Sequence, residues 1–343
     1  MKKFVLATAL LLSVTNCYND FEFPAGPEAP VRVIFDTDMG DDCDDVGALI
    51  MLHAMVDKGE AKILATVTSN IKSTAIPVIT IINAYYNRPE IPVGATIPYT
   101  DYYTHTHTPI LQTDYVEPEI PWHDELIRRF PDLISSAVNP DAVSVYRRVL
   151  ASEADTSATI ILVGGFTNLA LLLESPPDEF SPLNGCELVR KKVKRLVAMS
   201  GHFPQGREVN IYSEIEATHR IVADWPTPVI FCGWELGNQI LTGKELITSV
   251  IPDTPAKVAY SLCMWQGYYD DGRPSFDQIA VMAAIRGIEP YFSSVKGRIS
   301  VAADGSNSWI NNPFGLHEYL KFEMKTERIE TFIESLMMHT SGN

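Results

Sequence analysis

The chain has 343 residues, 46% of them apolar and 20% charged, which is enough apolar content for a sizeable core. Its formal net charge is −16, from 27 basic and 43 acidic residues. That balance excludes nucleic acid as a partner, because phosphate binding rests on Lys and Arg neutralisation.

Lys2 and Lys3 precede an apolar stretch, Phe4–Leu12, that is too short to span a bilayer. Residues 1–17 therefore read as a signal peptide. Ser13-Val14-Thr15-Asn16-Cys17 suits a lipoprotein signal, so a lipid anchor at Cys17 stands beside a periplasmic or secreted protein as the expected fate. Residues 18–30, with Pro24, Gly26, Pro27 and Pro30, read as a tether, and residues 31–343 as a single domain without internal repeats. No segment offers the roughly 18 consecutive apolar residues of a transmembrane span. Cys43, Cys186, Cys232 and Cys263 match neither zinc modules nor a dense disulfide framework. Cys43 reads as a small filler, since the carboxylates around it disfavour a thiolate.

Beyond the tether, short β-rich runs alternate with helical patterns, which predicts an α/β fold with a mostly parallel, doubly wound sheet flanked by helices. Strands are expected at Val31–Phe35, Ile63–Thr68, Ile91–Val93, Thr159–Val163, Val193–Met199 and Val229–Phe231. A first helix is expected from Asp44 and Asp45, whose carboxylates suit a helix N-terminus, to a stop at Gly59. Its apolar residues lie on nearly every side, which predicts burial, with His53 a satisfied core histidine. Further helices are expected at Ser73–Tyr86, Asp141–Ser152, Asn168–Glu174, Glu216–Asp224, Pro255–Tyr269 and Phe276–Arg286. A pair of strands near Val295–Val301 and Leu320–Met324 precedes a last helix, Thr326–Met338. Between Gly94 and Pro140 the pattern breaks into a long loop region carrying Tyr99, Tyr102, Tyr103, His105, His107, Tyr115 and Trp122.

The densest chemistry follows the first strand. Six aspartates occupy the ten positions from Asp36 to Asp45. At the carboxyl end of a strand in an open α/β sheet, this is where ligands bind. An acidic cluster there repels anions and calls for a cation, most simply a hard divalent metal held by carboxylates. A strand ending in Asp-x-Asp also opens haloacid-dehalogenase-type phosphotransferases, in which Asp36 would be the nucleophile. Those enzymes do not need the second pair, Asp44-Asp45, that leads here into Ala48-Leu49.

The whole run resembles the signature of the inosine–uridine-preferring nucleoside hydrolases, Asp-x-Asp-x-Gly-(x)-Asp-Asp-x-x-Ala-Leu. Thr66-Val67-Thr68-Ser69-Asn70 resembles that family's second strand, which ends in a sugar-binding asparagine. Val163-Gly164-Gly165-Phe166-Thr167-Asn168-Leu169-Ala170 is similar to its Gly-rich Thr-Asn turn. Met199-Ser200-Gly201 with Glu208-Val209-Asn210 is similar to its Met-Gly-Gly…Glu-Phe-Asn segment, and Ser275-Phe276-Asp277 stands where the family has a late His-Asp pair. The likeness runs over roughly residues 31–300 in the right order.

What the resemblance implies is a nucleoside-hydrolase-like domain that cleaves the N-glycosidic bond of ribonucleosides or related N-ribosides, using Ca2+ and an activated water. It assigns Asp38, Asp45 and Asp277, with the backbone carbonyl of Val163, to the metal. Asp38 becomes the general base, and Asp44, Asn70, Met199, Glu208, Asn210 and Phe276 bind substrate. The chemistry fits those residue types: calcium takes six to eight oxygen ligands, lowers the pKa of bound water, and leaves an oxocarbenium-like sugar for carboxylates to stabilise. The partner is then a small nucleoside or N-riboside, purine ribosides among them, and a homo-oligomer stays open.

Two departures stand out. Two extra residues lie between Gly40 and Asp44-Asp45, which makes Asp42 a competing ligand and leaves Asp41 and Asp42 as an insertion, while Asp36 reads as a brace for the turn. The second departure is Phe276, in a position where one branch of the family has a proton-donating histidine. The leaving base is then helped by another acid (His202, His105 or His107), by stacking on Phe276, Tyr102, Tyr103 or Trp122, or leaves unaided. The loop from Met199 to Glu208 has no evident asparagine for the ribose 5′-hydroxyl, so Gln205 or Arg207 is the substitute. A non-catalytic ribose- or metal-binding homologue is the alternative that Phe276 motivates.

Overall fold

The computed structural model describes residues 23–40, 42–96, 121–136, 140–264 and 270–341. The expected signal peptide, Asp41 and the loop residues Tyr99, Tyr102, Tyr103, His105, His107 and Tyr115 lie outside them. The strands are β1 Val31–Thr37, β2 Ala61–Thr68, β3 Val93–Ala95, β4 Ala158–Leu162, β5 Val193–Met199, β6 Gln205–Arg207, β7 Val229–Cys232, β8 Leu241–Thr242, β9 Arg273–Pro274, β10 Phe292–Val301, β11 Ser306–Asn311 and β12 His317–Phe322. Ten of them form one sheet in the order β3-β2-β1-β4-β5-β7-β12-β10-β11-β6, and β8 pairs with β9. From β3 to β12 every pairing is parallel, whereas β12-β10-β11-β6 is antiparallel.

Alternation along the central strands builds two cores. In β1, Val33 and Phe35 face one apolar layer and Ile34 the other, and in β4 Ile161 opposes Ile160 and Leu162. All of these are fully buried, each worth about 1.5–3 kcal/mol relative to exposure. One layer is closed by the helices Asp44–Asp57, Ala75–Tyr85, Pro255–Cys263, Phe276–Arg286 and Thr326–Met337, the other by Ala142–Ser152, Thr167–Glu174, Gly185–Lys192 and Ile215–Asp224. Helices on both faces make the fold the expected doubly wound sheet.

The first helix is buried from Asp44 to Met55 and the chain turns at Gly59, where φ is +75°. It packs so closely that a Cβ on Gly47 would stand 2.4 Å from the Tyr260 hydroxyl and 2.5 Å from the Gln278 amide. His53 sits in this core, its Nε2 2.9 Å from Asn83 Oδ1 and its Nδ1 accepting from Arg88, and burial lowers its pKa to about 3. It is the satisfied, neutral histidine that its position predicted.

Other elements differ from expectation. The strand expected at Ile91–Val93 begins at Val93, after Pro92, which cannot donate to the ladder. The long loop region contains a helix, Trp122–Arg129, that buries Trp122 and Leu126. Trp122 is thus a core residue and not a stacking platform. The described part of the helix expected at Pro255–Tyr269 ends at Cys263, and 265–269 lie outside the described residues. The two C-terminal strands are joined by β11, whose two apolar residues, Trp309 and Ile310, are adjacent and fall on opposite faces, so it carried no apolar alternation to announce it. Within the expected tether, Phe23 already stacks on Tyr291 and Phe332, at 5.5 and 3.9 Å between ring centroids. Among the described residues no helix is long and apolar enough to cross a membrane.

Candidate active site

The strand order reverses at β1, which has β2 on one side and β4 on the other, so a crevice opens beyond their carboxyl ends. Four strand ends and one helix start converge there: Asp38 after β1, Asn70 after β2, Val163 after β4, Met199 at the end of β5, and Asp277 in the first turn of Phe276–Arg286.

Asp38 is held through its backbone. Asn70 Nδ2 donates to its carbonyl at 2.8 Å, while Asn70 Oδ1 accepts from Lys72 N at 2.9 Å and shapes the turn. Behind Asp38 lies Gly164, where a Cβ would stand 2.6 Å from Asp38 N and 2.9 Å from its Cβ. Only glycine lets the two strand ends approach this far. Thr37 donates its hydroxyl to Asp45 Oδ1, which fixes that carboxylate at the helix start.

Asp36, Asp44, Asp45 and Asp277 are all buried, while Asp38 and Asp42 are partly exposed. Burial drives the Asp277 carboxyl well above its usual pKa, and the negative charges of Asp44, Asp45, Asp42 and Asp38 push it further. Asp44 is raised by burial and by Asp42, with Arg273 opposing. Asp44 Oδ2 is buried without a hydrogen-bond partner. Carboxylates grouped this way are costly without a counter-charge.

Among the described residues no group of three or more acidic, histidine or cysteine side chains is already gathered into a ligand cage. The donor chemistry still fits a hard divalent cation. It consists of oxygens only, and the carboxylates repel one another. The Val163 carbonyl accepts from Asn210 Nδ2 at 3.1 Å and keeps a second lone pair.

The residues assigned to substrate are placed around this core. Asn210 Nδ2 also reaches the Met199 carbonyl at 3.1 Å and its sulfur at 3.4 Å. Its amide nitrogen ties two strand ends together, leaving the side-chain oxygen as its group for a ligand. Glu208 accepts from Gly201 N at 2.9 Å and Asn210 N at 2.7 Å, and burial raises its pKa to about 7. The Phe276 ring is half-buried and stacks on Trp234 at 6.2 Å, and Trp234 in turn packs on the His202 ring at 5.2 Å. His202 is fixed by Asn307, which accepts from its N–H and donates to its carbonyl. Gln205 and Arg207 lie on β6, both exposed, and Arg207 donates to the Asp304 carbonyl and lies over the Tyr212 ring.

Asp36 is not a nucleophile waiting for substrate. It is fully buried, with Tyr146 Oη and Asn168 Nδ2 on its two oxygens. This is the bracing role and removes the phosphotransferase alternative. Three contributors escaped the sequence reading. Arg273 pairs with Asp42 and Asp44, Trp234 extends the aromatic wall, and Glu214 accepts from the backbone and hydroxyl of Thr167 behind the Gly164-Gly165 turn. A lone arginine four residues before Asp277, in a site short of positive charge, was the one available signal.

A doubly wound sheet with buried carboxylates at its switch point, beside backbone-tied amides and an aromatic pair, is the architecture of an α/β enzyme that binds a small ligand. The chain belongs to the inosine-uridine preferring nucleoside hydrolase family, whose profile matches residues 33–321. It is accordingly an N-glycosyl hydrolase. Its fold is similar to that of a plant nucleoside hydrolase, with 20% identity, a TM-score of 0.64, and coverage of 90% of this chain and 99% of that one. A purine-preferring ribonucleoside hydrolase from Gardnerella vaginalis aligns with 15% identity and a TM-score of 0.63 over 90% of this chain and 99% of that one. The type III effector protein XopQ, solved with adenosine diphosphate ribose, aligns with 14% identity and a TM-score of 0.65 over 92% of this chain and 94% of that one. No curated protein matches the chain by sequence.

Proposed function

We propose that the protein hydrolyses the N-glycosidic bond of ribonucleosides or related N-ribosides in a Ca2+-dependent reaction with Asp38 as general base. The observation that supports this reading is the set of mutually repelling carboxylates, Asp38, Asp45 and Asp277, at the sheet's switch point, where β4 ends just before Val163. Those four would hold the ion, and the ion would supply a water of lowered pKa. Asp38 is the most exposed of the three carboxylates, which suits the group that must accept a proton from water. Asp44, Asn70, Glu208 and Asn210 bind the ribose hydroxyls, with Met199 as the floor against Asn210. Buried polar groups of this kind reject a sugar that lacks the partner hydroxyl.

The leaving base lies against Phe276 and Trp234. Aromatic contact replaces the missing histidine, with the His202 ring at the far end of the same wall. Export is part of the same proposal. Residues 1–17 direct the chain out of the cytoplasm as a signal peptide or lipoprotein signal, and residues 31–343 act as one hydrolase domain.

The test is release of free base and reducing sugar from a panel of ribonucleosides, with calcium and with chelator. Release that stops on chelation and returns with calcium supports the reading. Tight nucleoside binding with no release across the panel overturns it in favour of a binding protein.

A further inference from the structure

The aspartates of the opening run do not share one task, and the residue that divides them comes from far along the sequence. Arg273 stands on β9, four residues before Asp277, and is buried. Its Nη2 donates both to Asp42 Oδ2 and, at 3.2 Å, to Asp44 Oδ1. The backbone beneath it is pinned. Arg273 pairs with Thr242 across β8 and β9, and the Thr242 hydroxyl lies 2.7 Å from that of Ser275. The other oxygen of Asp44, Oδ2, is buried and has no hydrogen-bond partner. One oxygen anchored and one unsatisfied is the state of a side chain aimed at a ligand, because a buried acceptor is otherwise costly.

We propose that Asp42 and Arg273 form a positioning pair that presents Asp44 Oδ2 to a ribose hydroxyl. Asp42 supplies the charge that keeps the guanidinium in place, and Arg273 fixes Asp44 through Oδ1. The insertion between Gly40 and Asp44 then has a use, and Asp42 belongs to the arginine, not to the metal. An arginine suits the role because it stays charged when buried and reaches two carboxylates at once. The alternative is a charge that merely relieves repulsion in the folded state. The proposal rests on the reading of Asp44 as a ribose-facing group.

The experiment compares Asp42→Asn, Arg273→Met, Arg273→Lys and the Asp42→Asn/Arg273→Met double variant in the full chain. Calcium affinity and ribose affinity are measured by titration calorimetry, with D-ribose and 2-deoxyribose as probes. KM and kcat are measured on a riboside that the parent protein hydrolyses. Loss of a hydrogen bond to a charged group typically costs about 10- to 100-fold. The expected result is a rise of that size in KM, with a smaller change in kcat, unaltered calcium affinity, and weaker preference for ribose over deoxyribose. Arg273→Lys recovers part of the loss, and the double variant is no worse than Arg273→Met alone. Loss of calcium affinity in Asp42→Asn overturns the proposal, since Asp42 would then be a ligand. So does an unchanged ribose preference in Asp42→Asn, whose partly exposed side chain makes it the variant that folds if Arg273→Met does not. The D-ribose titration needs no turnover, so it tests the pair even if no riboside is cleaved.

Discussion

Tyr146 donates its hydroxyl to Asp36 Oδ2 at 2.7 Å across 110 positions of sequence, and both side chains are fully buried. Asn168 Nδ2 donates to the other oxygen at 2.9 Å. Tyr146 lies on one flanking helix and Asn168 in the first turn of another, so Asp36 joins β1 to the layer beneath the site. An asparagine amide cannot accept on both sides, so one of these donors would lose its acceptor, at a cost of about 1–3 kcal/mol. Asp36→Asn should lower the melting temperature yet keep turnover within about tenfold of the parent, because the side chain touches no reacting atom. Asp38→Asn should keep the melting temperature and lose turnover by at least about 100-fold, in the range expected for a general base. Turnover assays beside thermal melts separate the two. If Asp36→Asn were the inactive one, the brace would be the wrong role.

The same burial sets a pH dependence. Asp36 and Glu208 are each raised to about 7, chiefly by desolvation and against the hydrogen bonds they accept. In the unfolded chain both titrate near 4. The fold therefore favours their protonated forms, so this contribution to stability is fully present below about pH 4. It is lost as pH rises through 7, by up to about 4 kcal/mol for each group. The chelator-treated protein should melt at a lower temperature at pH 8 than at pH 5.5, and Asp36→Asn should flatten that slope. A melting temperature that climbs steadily over the window would show that paired carboxylates elsewhere dominate.

Much of this was readable from the chain because the decisive signals are local. β1, β4 and β5 alternate between two cores, and alternation of apolar residues is visible in a short window. The acidic run declares its own need for a cation. What was not readable depends on contacts distant in sequence. Arg273 meets Asp44 across 229 positions, and no local pattern marks it as a counter-charge. Trp234 opens a single-turn helix, Trp234–Gly237, too short to show a period. Trp122 stood among polar and aromatic loop residues, where its burial by the Pro255–Cys263 helix left no trace.

Gly164 gives a steric test. Its absent Cβ leaves room for Asp38 N at 2.6 Å, and the other neighbours are Asp38 Cβ and Thr37 C, which are fixed to the backbone and cannot swing aside as a side-chain tip would. Gly164→Ala must push apart the ends of β1 and β4, where Asp38 and Val163 follow the two strands. A misplacement of about 1 Å at a reacting centre costs on the order of 100-fold in rate. The expected outcome is a folded protein with turnover reduced by about that factor and calcium affinity weakened together with it. Calorimetry with calcium and an initial-rate assay check both, and unaffected calcium affinity would place the ion away from the Val163 carbonyl.

Phe276 decides how the base leaves. Its ring lies over Trp234, whose own ring contacts His202, and a phenyl group has no proton to give. Stacking on an aromatic face is worth about 1–3 kcal/mol for a nucleobase. Phe276→Ala should therefore lower kcat/KM by about 10- to 100-fold for purine ribosides. It should have far less effect on a riboside whose leaving group departs readily without protonation, such as p-nitrophenyl riboside. Phe276→Trp should keep activity, since it preserves the wall. Phe276→His should raise kcat only where the ring can reach the base, and the rise should fade at alkaline pH as the imidazolium loses its proton. Equal losses on both kinds of leaving group in Phe276→Ala would mean that the ring only supports Asp277, its neighbour at the helix start.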